Sequence, residues 1–324
     1  MKHSINLRPV ESIPLLWEIP AMLEKLDFHY QEKRLPFFVR ALKFRLFERF
    51  TRQATPVFLK GGDSISTSPV IAGQYEKELV TLLEAASRAG CGEALIDIGA
   101  NIGLTTFYAG QFFKNSYCFE PNPKVFCVLT ANLYEKVGKS VHLFNFGLGT
   151  KDETTKLTIP KMNYGGAFIL NSSNAYSLKE LASKDGFSDF NQNNYDELPV
   201  EIKKGRDVLR DLFAKIPGGF TIKIDVEGFE QTVLEEIAAA LPTGRRFAIV
   251  FENWSQSFDP ASVSTDLFKR PVQLFKLSTA VNPHAGKVSK LFQLILRGRK
   301  YHLESKPHNW IGTLLIADSS IKVG

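Results

Sequence analysis

Ala94-Leu-Ile-Asp97-Ile-Gly99-Ala-Asn101-Ile-Gly103 decides the fold. An apolar run ends in an acid, two glycines bracket a tight turn, and a helical pattern follows at once through Leu104, Phe107, Tyr108 and Phe112. This order of strand, glycine turn and helix opens a nucleotide-type binding unit. Glycine is needed where the backbone turns sharply or where a ligand approaches with no Cβ in the way. Asp97 stands at the carboxyl end of the strand, where open α/β sheets place their ligands.

The loop favours one cofactor over another. A dinucleotide fingerprint G-x-G-x-x-G cradles a pyrophosphate on a helix N-terminus. Here the spacing is G-x-x-x-G, Asn101 replaces the middle glycine, and Asp97 would repel a diphosphate. S-adenosylmethionine carries an ammonium, a sulfonium and a carboxylate but no phosphate, so an acid is welcome. A second acid, Glu120, ends the next strand and is placed to accept both hydroxyls of a ribose. The loop therefore points to the methyl donor rather than to NAD, and a nicotinamide-dependent oxidoreductase is the less favoured class.

Further along stand Phe119-Glu-Pro-Asn-Pro123, Asn145-Phe-Gly-Leu-Gly149 and Ile222-Lys-Ile-Asp-Val-Glu-Gly-Phe-Glu230. Together with Asp97–Gly103 these phrases resemble the FkbM-type methyltransferases, in order between about Gly73 and Glu252. The resemblance implies an S-adenosylmethionine-dependent enzyme, mostly an O-methyltransferase of sugars and other hydroxylated metabolites. It implies a doubly wound, Rossmann-like α/β sheet, mostly parallel, closed by an antiparallel C-terminal hairpin. The turn Asn145-Phe146-Gly147 is implied to lie against the adenine. The expected cofactor residues are then Asp97, Gly99, Asn101, Gly103, Glu120, Asn145, Phe146 and Gly147. The phrase Gly73-Gln-Tyr75-Glu76 also matches the family, either closing over the cofactor or capping the helix that follows.

A second chemical centre lies at Phe220–Glu230. Alternate strand residues share a face, so Lys223 and Asp225 project together, away from Ile222 and Ile224. A helix start alone would account for the acids Asp225 and Glu227. It does not account for a lysine on the same face. Asp225 and Glu227 are the expected catalytic groups, with Lys223 as charge partner. A sugar hydroxyl is a weak nucleophile, and a base or a metal helps remove its proton. The next strand, Phe247–Asn253, ends in Glu252 and Asn253. If those strands are neighbours, Asp225, Glu252 and Asn253 would offer three oxygen ligands to Mg²⁺. The histidines form no site by sequence.

Composition limits the alternatives. The 324 residues carry a formal net charge of +6, with 44% hydrophobic and 23% charged residues. Without a nucleic-acid motif this basicity does not argue for DNA or RNA. Three sparse cysteines, no apolar run of membrane-span length and no apolar leader suggest a cytoplasmic protein. Residues 1–70 read as a basic helical extension and 71–324 as the catalytic domain. Residues 36–52 interleave Phe and Leu with Arg and Lys, which suits packing on a domain or a second copy of the chain, or peripheral contact with an anionic membrane. A polar stretch from Asn171 to Glu197 reads as a long irregular segment able to cover the acceptor site. Pro271–Ala280 and Thr313–Ala317 read as the final two strands, with a basic patch at Arg297, Arg299 and Lys300 between them. The acceptor is a small molecule or glycan. An N-methyltransferase would favour Asn/Asp-Pro-Pro-Tyr/Phe where Asp225-Val-Glu-Gly stands. A non-catalytic cofactor-binding partner in a glycan-assembly complex is the reading from another class.

Overall fold

Strands β1 (Ala94–Ile98) and β8 (Phe220–Ile224) lie side by side and parallel at the centre of an eight-stranded sheet. Every residue of both is buried. That is the mark of a parallel sheet covered on both faces, and it explains why the two read as nearly continuous apolar runs. In this computed structural model the described residues are 34–51, 57–58, 65–66, 69–70, 73–136, 140–161, 163–171, 174–184, 186–255, 258–279 and 300–322.

On one side of this pair come β2 (Asn115–Phe119) and β3 (Val141–Phe144), both parallel; on the other comes β9 (Phe247–Asn253), also parallel. Beyond β9 the last strand, β12 (Gly312–Asp318), runs antiparallel, flanked by β10 (Val272–Thr279) and then β11 (Tyr301–Glu304). The antiparallel C-terminal pair expected from the sequence is present as β10 and β12. β11 adds a further antiparallel strand outside β10, where two strands were expected. Lys300 is exposed, whereas Arg297 and Arg299 lie outside the described residues.

Helices cover both faces. Ala94, Ile96, Ile98, Ile222 and Ile224 pack with Leu209 and Phe213 of a helix at Gly205–Lys215 and with Val233, Leu234 and Ile237 of one at Glu230–Ala240. Leu95, on the opposite pleat, joins Leu79, Leu83 and Ala86 of the helix Lys77–Ala86. Chain order reverses between β1 and β8, since β2 follows on one side and β9 on the other. The strand ends there form the crevice where such sheets bind ligands.

Strands are expected from the sequence at Lys156–Ile159, Gly166–Leu170 and Pro199–Lys203 and are present, but their pairing into a second sheet was not legible. That sheet has the order β4 (Gly147–Gly149), β7 (Tyr195–Lys204), β5 (Glu153–Pro160), β6 (Phe168–Ile169). The polar stretch expected to be irregular contains a helix, Leu178–Lys184, and the first residues of β7. It has its own core of Phe168, Tyr176, Leu181 and Tyr195. Its few apolar residues are widely and unevenly spaced, so neither the helical nor the strand period shows. Local polarity hid a packed unit.

The chain separates into two units, residues 1–49 and 50–324. In the first unit lies most of the helix Arg34–Thr51, where the basic helix of residues 36–52 was expected. No helix among the described residues is long and apolar enough to cross a membrane.

Candidate functional site

The glycine loop after β1 is wedged between two strand ends. Gly99 and Ala100 donate their N–H groups to the Phe119 carbonyl at 3.0 Å, and Asp225 N–H donates to the Ile98 carbonyl at 3.0 Å. Gly99 has φ +77°, and a Cβ there would sit 1.9 Å from the Asp225 carbonyl oxygen. Only glycine fits so close a crossing. A Cβ on Gly103 would come 2.7 Å from Leu129, so that glycine serves the packing of the helix Pro123–Lys136.

Glu120 is fixed by the same loop. Its Oε2 accepts the Asn101 N–H at 2.9 Å and its Oε1 the Asn122 N–H at 2.8 Å. Burial pushes its pKa up to about 7, against the pull of those two donors. Asn145 braces the turn from outside, donating to the carbonyls of Glu120 at 2.8 Å and Pro121 at 3.2 Å.

These elements enclose a cavity of ≈ 400 Å³, within the range of small-molecule sites of roughly 300–1,000 Å³. Gly99, Asn101, Glu120 and Gly147 line it, as do Asp225 and Glu227. Asp97, Gly103, Asn145 and Phe146 are not among the residues that line it. Phe146 packs its ring on Phe119 and Phe144. Asp97 is wholly buried, accepting from the Thr106 hydroxyl at 2.7 Å and pairing with Lys223 at 3.2 Å. Its part is to hold the loop from beneath.

Lys223 is the hub of that support. Its ammonium also donates to the Gly99 carbonyl at 2.9 Å and lies 3.4 Å from the Asp225 carboxylate. Burial pulls its pKa down, but Asp97, Asp225 and Glu76 outweigh burial and the net direction is up. Lys223 therefore stays protonated and is no base; it is the charge partner expected from the sequence.

Around Asp225 the acids gather. Glu227 is half-buried beside it and pairs with Lys184; desolvation raises its pKa to about 7, with Lys184 opposing. The Glu252 pKa is raised by burial and then by Asp225, and its Oε2 accepts from the Trp254 indole at 2.9 Å. Two further charged residues sit beside these acids. Glu76 sits in the left-handed region at φ 39°, hydrogen-bonded by Tyr75, with a pKa raised to about 7 by burial and by Glu252 and Asp225. The family phrase around Tyr75 was the signal for it. Lys184 had no signal.

Asn253 does not join this group. Neighbouring residues of a strand point to opposite faces, and its amide is committed elsewhere. The nitrogen donates to the carbonyls of Ser255 at 3.1 Å and Trp310 at 2.9 Å, while its oxygen accepts the Ser255 N–H at 3.2 Å. Of the three residues named for Mg²⁺, Asp225 and Glu252 are neighbours, while the Asn253 amide is bonded to Ser255 and Trp310. No cluster of three His, Cys, Asp or Glu fit to hold a metal occurs among the described residues.

A mostly parallel sheet with its last strand inserted antiparallel, a glycine loop after β1 and an acid ending β2 define the S-adenosylmethionine-dependent methyltransferase class. Residues 97–270 match the methyltransferase FkbM domain, and the chain belongs to that family of S-adenosylmethionine-dependent methyltransferases. No curated protein matches the chain in sequence. Similar solved structures include an O-methyltransferase from Bacillus cereus in complex with SAH, at 12% identity, 86% coverage of this chain, 91% of that one and a TM-score of 0.37. Magnesium protoporphyrin IX methyltransferase from Synechocystis PCC 6803 with bound SAM gives 9% identity, 90% and 100% coverage, and a TM-score of 0.37. Precorrin 8W decarboxylase from Methanobacterium thermoautotrophicum gives 14%, 81%, 100% and 0.37.

The cavity suits the cofactor that the family implies. Its charged lining is Glu120, Glu153, Asp225 and Glu227 against Lys151. Such an excess of carboxylate favours a ligand bearing an ammonium and a sulfonium and opposes a diphosphate.

Proposed function

We propose that the enzyme methylates a hydroxyl oxygen of a sugar or similarly hydroxylated small acceptor, with Glu227 and Asp225 taking the hydroxyl proton. One observation carries this reading: Asp225 and Glu227 line the same cavity as Gly99, Asn101 and Glu120. When bound, S-adenosylmethionine supplies a methyl group on a positively charged sulfur, an electrophile that needs no acid. Gly99, Asn101 and Gly147 would hold it by backbone approach, and Glu120 by accepting ribose hydroxyls.

The rest falls to the acceptor side. The protein must hold an oxygen in line and remove its proton. Glu227, with a pKa raised to about 7, is a carboxylate of useful basicity at neutral pH. Asp225 is the more open of the two, its side chain 38% exposed, and it is kept in place by Lys223. Lys223, held protonated by Asp97 and Asp225, does not take the proton, and the reading assigns that step to the carboxylates.

The test is transfer of labelled methyl from S-adenosylmethionine to a panel of mono- and oligosaccharides. A methyl ether should form, insensitive to EDTA, and Glu227→Gln should lower kcat by about 100-fold or more. Methylation confined to amines, or no transfer by folded, cofactor-binding protein, would remove the reading in favour of an N-methyltransferase or a non-catalytic partner.

A further inference from the structure

The segment after β6, whose Asn171 lines the cavity, also brings a charge to the loop that follows β8. Asn174 donates to the carbonyls of Ile169 at 3.1 Å and Glu227 at 3.0 Å, and Ala175 N–H donates to the Gly228 carbonyl at 2.9 Å. The chain is thereby stitched to the loop that follows β8. The helix Leu178–Lys184 then carries the Lys184 ammonium onto the Glu227 carboxylate. The same ammonium lies 5.3 Å from the ring centre of Tyr176 and 5.4 Å from that of Trp254. Trp254 N–H donates to the Tyr176 hydroxyl at 3.3 Å, fixing one aromatic residue against the other.

An ammonium drawn out of water needs a carboxylate or a ring face to offset its lost hydration, and Lys184 has both. Its side chain is 25% exposed and that of Glu227 13%. The pair is therefore shielded, and its mutual attraction is stronger than that of a surface pair.

We propose that Lys184 is a positioning residue for methyl transfer: it reaches from the helix Leu178–Lys184 to Glu227 and holds that carboxylate ionised and in a fixed position at the cavity that Glu227 lines. This rests on Glu227 acting as the base. The groups facing Glu227 are Lys184 from the segment after β6, Asp225 from its own loop, Glu252 from the end of β9, Glu230 from the following helix and Tyr176 from the same segment as Lys184. Asp225 and Glu252 oppose a charge on Glu227, and Lys184 favours it. With that segment undocked, Glu227 would face its acidic neighbours without that cation and take up a proton. The base is then competent only when the segment is docked.

The side-chain carboxyl carbons of ¹³C-labelled glutamate, followed by NMR against pH in the full chain, test this without any acceptor. The Glu227 signal is assigned by its loss in Glu227→Gln. Its midpoint, about 7 in the wild type, should rise by about one unit or more in Lys184→Met and return in Lys184→Arg. Asn174→Ala, which removes the hydrogen bonds to the Ile169 and Glu227 carbonyls while keeping the Lys184 side chain, should raise it too if the segment loosens. The acid limb of the methyl-transfer pH profile should move with the midpoint. An unchanged midpoint in Lys184→Met overturns the proposal, as does a moved midpoint with an unmoved acid limb. Absence of transfer to any hydroxyl acceptor, with the midpoint moving as expected, overturns the assignment of Glu227 as base and leaves the ion pair standing.

Discussion

Lys223 and Asp97 are direct register partners in the parallel pair β8–β1, both side chains are buried, and the ammonium lies 3.2 Å from the carboxylate. Neither group enters the cavity. They join the two strands whose ends carry the cofactor loop and the acceptor-side acids. Removing one member leaves a buried charge uncompensated, at a cost of about 3–5 kcal/mol. Lys223→Met should therefore lower the unfolding free energy by that amount in a urea titration. A loss below about 1 kcal/mol would show that the pair is not what joins the strands.

Gly99 and Gly244 share a positive φ, +77° and +74°, but not their surroundings. Gly244 has nothing within 4 Å of its would-be Cβ, whereas Gly99 has the Asp225 carbonyl at 1.9 Å. Gly244→Ala should cost only the backbone preference, about 1–2 kcal/mol. Gly99→Ala should cost more and should also abolish S-adenosylhomocysteine binding, because the loop must lift off β8. Equal thermal shifts with binding retained in both variants would contradict the close crossing.

Glu120 gives the cofactor-free protein a pH-dependent stability. Its folded pKa is raised from 4.5 to about 7 by burial. The native chain therefore holds that proton more tightly than the unfolded chain, so the contribution is full below about pH 4.5 and is lost as pH rises through about 7. The stability of the wild type relative to Glu120→Gln should fall across this window, by at most about 1.4 kcal/mol per pH unit. A difference that is flat with pH, or that rises, would mean that Glu120 is ionised throughout.

The strand–glycine–helix phrase at Ala94–Gly103 and the acid at Glu120 were legible because their signals are local: an apolar run, a turn, a period. The pairing of Lys223 with Asp225 was legible from strand alternation, and its stronger tie to Asp97 needed the register of two distant segments. Alternation also speaks against Asn253 as a partner of Glu252, since adjacent strand residues face opposite ways. The strands of the small sheet were largely legible one by one, but their pairing was not, because β5 and β7 meet across an intervening stretch whose core residues, Tyr176 and Leu181, follow no period. Lys184 reaches Glu227 only through that unit. No sequence pattern could have joined them.

The most direct measurement is calorimetric titration of S-adenosylhomocysteine into the wild type, Glu120→Gln and Glu227→Gln, with NAD as the control ligand. The wild type should bind S-adenosylhomocysteine and not NAD, Glu120→Gln should weaken binding at least about tenfold through the lost ribose contacts, and Glu227→Gln should bind nearly as the wild type does. Undiminished binding by Glu120→Gln, or no binding by folded wild type, would contradict a cavity in which Glu120 holds the cofactor and Glu227 serves the acceptor.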